Sequence, residues 1–168
     1  MFFRIISAVM FTVMGGTAGI YFSERLKSDL VFCRNIHEMF MNTAVIIRCS
    51  AVDVYSISTE LRKNKKFQRF DFLQAIPEKY NPEEDFREIW INAVKSQKNL
   101  PEDVKNILCD FGQILGQSDI EGQLASIETL TEKAGILEKN YSDIYSQKGK
   151  LYRSIGMLFG IITGILII

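Results

Sequence analysis

Cysteine, proline, histidine and tryptophan are all scarce in this chain of 168 residues, which has 3 cysteines, 3 prolines, 1 histidine and 1 tryptophan. Three cysteines without paired spacing argue against a disulfide scaffold or a zinc module. A single histidine nearly excludes a histidine-based metal site. The net charge is zero, because 20 basic residues balance 20 acidic residues. The absence of a basic excess argues against a nucleic-acid-binding domain. With 47% hydrophobic residues, the chain is not a disordered tail.

Charge is absent from two stretches near the ends of the chain, residues 5–22 and residues 154–168. The first would form about 27 Å of helix, and so would the second once the three preceding residues are added. Both are marginally long enough for a hydrocarbon core of about 30 Å. We therefore predict an N-terminal transmembrane anchor over residues 1–23 and a C-terminal transmembrane segment over residues 151–168. The alternatives are a cleaved signal peptide for the first stretch and a buried helix for the second.

Glycines recur four residues apart in both stretches, and they are Gly15, Gly19, Gly156, Gly160 and Gly164. A helix face without side chains lets another helix approach closely. The alternative is that glycine is simply common in membrane helices. We predict that these glycines pack the two segments on each other or on a partner.

Basic residues flank the two stretches on their inner sides, at Arg25, Lys27, Arg34, Lys148, Lys150 and Arg153. The positive-inside rule then places residues 23–153 in the cytoplasm and both termini on the far side of a cell membrane. Reduced cysteines fit that compartment.

Apolar residues recur at helical spacing through residues 24–150, and no alternating strand pattern of useful length is present. This spacing predicts a helix over residues 24–48, followed by shorter helices around Val54–Leu61, Phe72–Ile76, Phe86–Val94 and Val104–Leu115. Pro101 suits the first residue of a helix, and Gly116 suits a left-handed helix end.

Heptad positions from Ile127 to Leu151 predict one last helix, which runs from about Asp119 into the C-terminal segment. The fold class expected from these patterns is all-α. We predict a cytoplasmic bundle of about five to six helices over residues 24–150, flanked by one transmembrane helix at each end.

Residues that could carry chemistry are few, and we predict no catalytic residue, no metal site and no cofactor. His37 has no second ligand at metal-binding spacing, and Cys33 and Cys109 fit small apolar core positions. The strongest charge cluster contains Lys63, Lys65 and Lys66. It fits a solvated helix end, contact with anionic lipid or an acidic protein partner. The acidic run at residues 83–85 fits the start of the next helix, or it could pair with the basic cluster.

One motif points to a family. After an apolar helix the chain reads Leu115-Gly116-Gln117-Ser118-Asp119, and Gln123 follows four residues later. This pattern, the total length and the two apolar ends resemble the stage III sporulation protein AB family of endospore-forming bacteria. The chain departs from the family at residues 49–53, Cys-Ser-Ala-Val-Asp, where a turn containing glycine and proline is often found.

The resemblance implies a part in spore formation. Members are encoded with proteins that build a trans-envelope complex between mother cell and forespore, and one companion resembles a secretion ATPase. The helical domain is similar to the cytoplasmic domain of the type II secretion platform protein. The resemblance thus implies a non-catalytic membrane platform in the outer forespore membrane, on the mother-cell side. It would dock the ATPase and membrane subunits and contact the lipid bilayer. The balanced charge indicates that it binds no nucleic acid, and homo-oligomerisation stays open.

The turn after Leu115 has two interpretations. Gly116 and Ser118 account for the end of one helix and the start of the next, with Asp119 favourable at a helix start. Capping does not require Gln117 or Gln123, so these amides are candidates for partner contact. A membrane-tethered signalling or regulatory module is the alternative function, and it would need a pocket with convergent polar groups.

Overall fold

The computed structural model describes residues 2–49, 53–81, 84–116 and 120–167. These residues form no strand, and they are all-helical as the periodicity predicts. The helices are α1 (Phe2–Cys49), α2 (Val54–Lys63), α3 (Asp71–Gln74), α4 (Phe86–Lys95), α5 (Glu102–Ile114) and α6 (Ile120–Ile167).

The structure corrects the prediction of two transmembrane helices. Over the residues that the structure describes, no helix combines the length and the apolar composition needed to cross a membrane. The uncharged stretches at residues 5–22 and 154–168 correspond to about 27 Å and about 22 Å of helix, and both are shorter than a hydrocarbon core of about 30 Å. The prediction that the helical bundle is flanked by two spans is therefore wrong.

Aspartates begin two of the short helices. The Asp53 carboxylate accepts hydrogen bonds from the backbone N–H groups of Tyr55 (2.9 Å) and Ser56 (3.0 Å), so it caps α2. The Asp85 carboxylate accepts one from the N–H of Arg87 (2.9 Å) and caps α4. Each aspartate satisfies N–H groups that a helix start leaves without a partner inside the helix.

The ends of α5 follow the sequence closely. Pro101 is the N-cap residue, and the helix begins at Glu102, one residue later than the predicted start. Gly116 has a φ of +82°, the left-handed conformation predicted for it. A Cβ there would also lie 3.2 Å from Cγ1 of Val54. Glycine at this position therefore ends α5 and leaves room for the side chain of Val54 at the start of α2.

The chain divides into two compact units. Unit 1 contains residues 1–32 and 138–168, and unit 2 contains residues 33–137. Unit 2 holds nearly all of the buried apolar side chains, and stacked rings connect its helices. Phe40 of α1 stacks on Phe111 of α5 with ring centres 4.2 Å apart, and Trp90 of α4 lies 5.5 Å from Phe111. The rings of Phe72 and Phe86 flank the same tryptophan at 5.4 Å and 6.0 Å.

Trp90 is fully buried where α4 packs against α5. Its Nε1–H donates a 2.7 Å hydrogen bond to the carbonyl of Leu108. The indole ring occupies the space that a Cβ on Gly112 would need. The absence of a side chain at Gly112 is thus what lets α5 lie directly against the ring.

The heptad positions of α6 are buried only in its first half. Ile127, Leu130 and Ala134 belong to the core of unit 2, whereas Ile144 and Leu151 are exposed. A regular apolar spacing continues along the helix, but its large apolar side chains are buried only in the first half.

Candidate functional site

The starts of three helices meet at one open cavity in unit 2. The cavity has a volume of about 670 Å³ and is lined by Asp53 and Val54 at the start of α2, Asp85 and Phe86 at the start of α4, and Ile120 of α6, among others. Leu115 and Gly116, which end α5, complete this part of the wall. The volume is in the range of small-molecule sites in proteins, although the cavity opens widely to solvent.

Gln123 is the polar residue of α6 that lines this cavity, and only 5% of its surface is exposed. We predicted it as a partner contact. The structure places it in the cavity wall, on the same face of α6 as the buried Ile127. Gln117, Ser118 and Asp119, the other predicted residues of this motif, lie outside the described residues.

Tyrosines form a wall of the cavity that the sequence analysis missed. Tyr55 and Tyr80 both line it, with ring centres 5.8 Å apart in an edge-to-face arrangement. Tyr55 is 4% exposed, and its buried hydroxyl has no hydrogen-bond partner among the described residues. Burial raises the pKa of the Tyr55 phenol, and the carboxylates of Glu84 and Asp85 raise it further. The hydroxyl therefore keeps its proton at neutral pH.

Carboxylates dominate the charge of the lining. The charged lining residues that the structure describes are Asp53, Glu84 and Asp85 and one guanidinium, that of Arg87. Hydrogen bonds from Ser56 lower the pKa of Asp53, so that this group stays ionised. The sequence does contain a signal for two of these residues, because aspartate before an apolar helical pattern is typical of an N-cap. Nothing in the sequence indicates that Asp53 and Asp85 would line the same cavity.

The basic cluster predicted as a docking face is largely paired within the chain. Lys63 Nζ lies 2.7 Å from a carboxylate oxygen of Glu60, and Lys66 Nζ lies 2.6 Å from that of Glu38. Lys65 is exposed. Exposed pairs of this kind contribute little to stability, but they reduce the positive charge available to an acidic partner.

The predicted glycines come together in unit 1. A Cβ on Gly15 would lie 2.6 Å from the carbonyl oxygen of Gly156, and one on Gly19 would lie 3.2 Å from its Cα. A Cβ on Gly160 would lie 2.8 Å from Cα of Thr12. Here α1 and α6 meet backbone to backbone, which only glycine allows. Gly164, the fifth predicted glycine, is buried.

The residues considered for catalysis occupy structural positions. Cys33 is buried, and burial raises the pKa of the Cys109 thiol, which disfavours the reactive thiolate. The imidazole of His37 lies against Gly135 of α6, where a Cβ would be 3.4 Å from the ring. No group of three His, Cys, Asp or Glu side chains that could hold a metal ion occurs within the described ranges.

Comparison with protein families decides the identity. The model of the stage III sporulation protein AB family matches residues 4–168. The chain belongs to this family. It is therefore a sporulation-related protein of stage III, and the family is not known as a catalytic one. No curated protein and no solved structure shows significant similarity to the chain.

Proposed function

We propose that the protein is a non-catalytic assembly protein of the sporulation envelope complex, which docks a secretion-type ATPase and membrane subunits. The family match over residues 4–168 carries this proposal. The open cavity of unit 2 supports it, because a concave surface with aromatic walls and several polar groups is suited to a partner's side chains.

Unit 1 supports the second part of the proposal. Its helices expose large apolar side chains, which include Tyr21, Phe22, Leu158, Phe159 and Ile165. Extended apolar surface of this kind marks contact with another apolar surface. We therefore propose that unit 1 contacts lipid or membrane subunits at the outer forespore membrane, with unit 2 facing the mother-cell cytoplasm.

Direct binding between the full-length chain and the companion ATPase tests the docking role. Tyr80 lines the cavity and is 71% exposed, so Tyr80→Ala removes a contact surface without opening the core. We expect affinity for the ATPase to fall at least about fivefold, which corresponds to about 1 kcal/mol of lost contact. Ile136→Ala is the matched control, because Ile136 is 63% exposed and is not part of the cavity wall.

Two outcomes would contradict the proposal in different ways. Absence of any binding would overturn the ATPase-docking role. Binding that survives Tyr80→Ala but is lost on charge reversal of Lys63, Lys65 and Lys66 would move the docking face from the cavity to the basic cluster.

A signalling or regulatory helical module is the second candidate, since the cavity has the size and the convergent polar groups that the sequence did not reveal. It would bind a small ligand and transmit a helix shift. Thermal stabilisation of the purified protein by a small polar metabolite, together with no affinity for the ATPase, would favour it.

A further inference from the structure

The acidic side chains of the cavity are not paired within unit 2. Asp53, Glu84 and Asp85 line it, and none of the three forms an ion pair with a basic side chain in the described part of the chain. Among the described lining residues Arg87 is the one cation, so negative charge exceeds positive charge there. This imbalance favours a cationic occupant.

Aromatic rings face the same space. The ring of Tyr55 lies 5.8 Å from that of Tyr80 and 5.2 Å from that of Phe86, each nearly perpendicular to it. All three residues line the cavity. Aromatic faces attract cations, and guanidinium groups stack on them with particular ease.

The Tyr55 hydroxyl independently indicates a missing partner. It is buried, Tyr55 as a whole is 4% exposed, and no acceptor or donor among the described residues reaches it. A buried hydroxyl without a partner is unfavourable, and in native proteins it calls for an explanation. An incoming N–H donor would supply the hydrogen bond that the chain itself does not.

Two other occupants fit less well. Helix starts attract anions, but the carboxylates of Asp53 and Asp85 already accept hydrogen bonds from the backbone N–H groups there. An anion would therefore meet negative charge. A divalent cation would need oxygen ligands close together, and the described residues contain no group of three such side chains.

We propose that this cavity binds an arginine side chain presented by a partner polypeptide, with the guanidinium between the carboxylates and the tyrosine rings. A planar group with five N–H donors can serve separated carboxylates and the Tyr55 oxygen at once, which a compact ammonium cannot. This inference rests on the proposed function in one respect. It names the side chain with which a docking partner would contact unit 2.

A peptide titration tests the chemistry without the ATPase. The ¹⁵N-labelled full-length chain, in a neutral detergent, is titrated with acetyl-Gly-Arg-Gly-amide and followed by NMR. We expect saturable shifts of the Tyr55, Ser56 and Arg87 amide signals in the millimolar range. The matched peptide with citrulline in place of arginine is neutral but nearly identical in shape, and it should cause no saturable shift.

A variant that removes the negative charge of the cavity but keeps the helix caps tests the role of the carboxylates. Asparagine caps a helix as well as aspartate does, so Asp53→Asn, Glu84→Gln and Asp85→Asn together remove the charge and leave the caps in place. We expect the arginine peptide to bind at least about tenfold more weakly, since charge-assisted hydrogen bonds are lost. Glu128→Gln with Glu132→Gln, both exposed on α6, is the control and should leave affinity unchanged.

Tyr55→Phe deletes only the unpartnered hydroxyl. We expect weaker binding of the arginine peptide and no loss of stability, because the free chain loses no hydrogen bond. Equal binding of the citrulline or a lysine peptide, unchanged affinity in the charge-removal variant, or shifts of the same signals by inorganic phosphate would each overturn the proposal. Peptide binding without ATPase binding would leave this inference standing and contradict the docking function.

Discussion

At the scale of single residues, Asp53 closes the start of α2 with hydrogen bonds from two backbone N–H groups and from the Ser56 hydroxyl. We predict that Asp53→Ala lowers the free energy of unfolding by about 1 kcal/mol, whereas Asp53→Asn keeps most of it. Urea unfolding of the three proteins at neutral pH measures the difference. Equal loss in both variants would contradict capping as the role of this side chain.

The same residue predicts a pH dependence. The pKa of Asp53 is lowered below its unfolded value of 3.8 by hydrogen bonds from Ser56. Its charge therefore contributes stability that is complete above pH 3.8, and that contribution is lost as pH falls through the folded pKa. We expect the stability of the natural chain to fall more than that of Asp53→Asn between about pH 6 and about pH 2. Parallel curves for the two proteins would contradict this.

Gly112 and Trp90 form a close contact between α4 and α5. A Cβ at Gly112 would overlap the indole ring, whose Nε1–H is held on the Leu108 carbonyl. Gly112→Ala should therefore destabilise unit 2 by about 1–3 kcal/mol through overpacking. Trp90 fluorescence during urea unfolding measures this.

Gly135→Ala is the matched control for that variant. A Cβ at Gly135 would meet only the His37 ring, at an ordinary contact distance of 3.4 Å. Because alanine favours helix by up to about 1 kcal/mol over glycine, this variant should be as stable as the natural chain or more so. Destabilisation of similar size in both variants would show that the Trp90 contact is not the cause.

Single residues also show where sequence reasoning succeeds and fails. Gly116 was predictable, because glycine after an apolar helical run signals a left-handed end. Gly112 was not, since the ring that excludes a side chain there belongs to another helix. The cavity tyrosines were missed for a similar reason, because the meeting of Tyr55 and Tyr80 depends on how the chain folds back between them.

At the scale of helices, α1 and α6 approach through glycine. A Cβ on Gly156 would lie 2.6 Å from the carbonyl oxygen of Gly15 and 2.9 Å from Cα of Gly19. These are backbone atoms that cannot move aside cheaply, so Gly156→Ala should separate the two helices. We expect faster amide hydrogen exchange over residues 9–22 and 154–165, which deuterium uptake measured by mass spectrometry reports.

Gly16→Ala is the control for that pair, because a Cβ on Gly16 would meet nothing within 4 Å. It should leave exchange unchanged or slow it, through the higher helix propensity of alanine. Faster exchange in Gly16→Ala would mean that substitution itself, rather than the shared glycine face, loosens the helices.

The short helices were predictable from periodicity, since the apolar positions of α2, α4 and α5 repeat every three or four residues. For α1 the sequence suggested a transmembrane segment and a separate helix from residue 24. The structure has a single helix, since neither glycine nor proline interrupts residues 20–49. α3 has only 4 residues, which is too short for a periodic pattern to define its ends.

At the scale of the whole molecule, unit 2 carries its own core. The buried rings of Phe40, Phe72, Trp90 and Phe111 all lie within residues 33–137. We predict that this piece, expressed alone, unfolds in a single cooperative transition with Trp90 shielded from water. Gradual, non-cooperative loss of helical circular dichroism would contradict the prediction, and residues 24–150 serve as the longer comparison.

Unit 1 joins two segments of the chain that are synthesised well apart in time. Thr12 donates a hydrogen bond to the Gly160 carbonyl across a separation of 148 residues, and Arg153 donates one to Ser23 across 130. At 5–20 residues per second, a ribosome needs on the order of ten seconds to extend the chain from one partner to the other. Throughout that interval the exposed apolar residues of α1 have no second helix beside them. A chaperone, a targeting factor or a lipid surface that binds this segment during translation would determine whether α1 and α6 pack against each other.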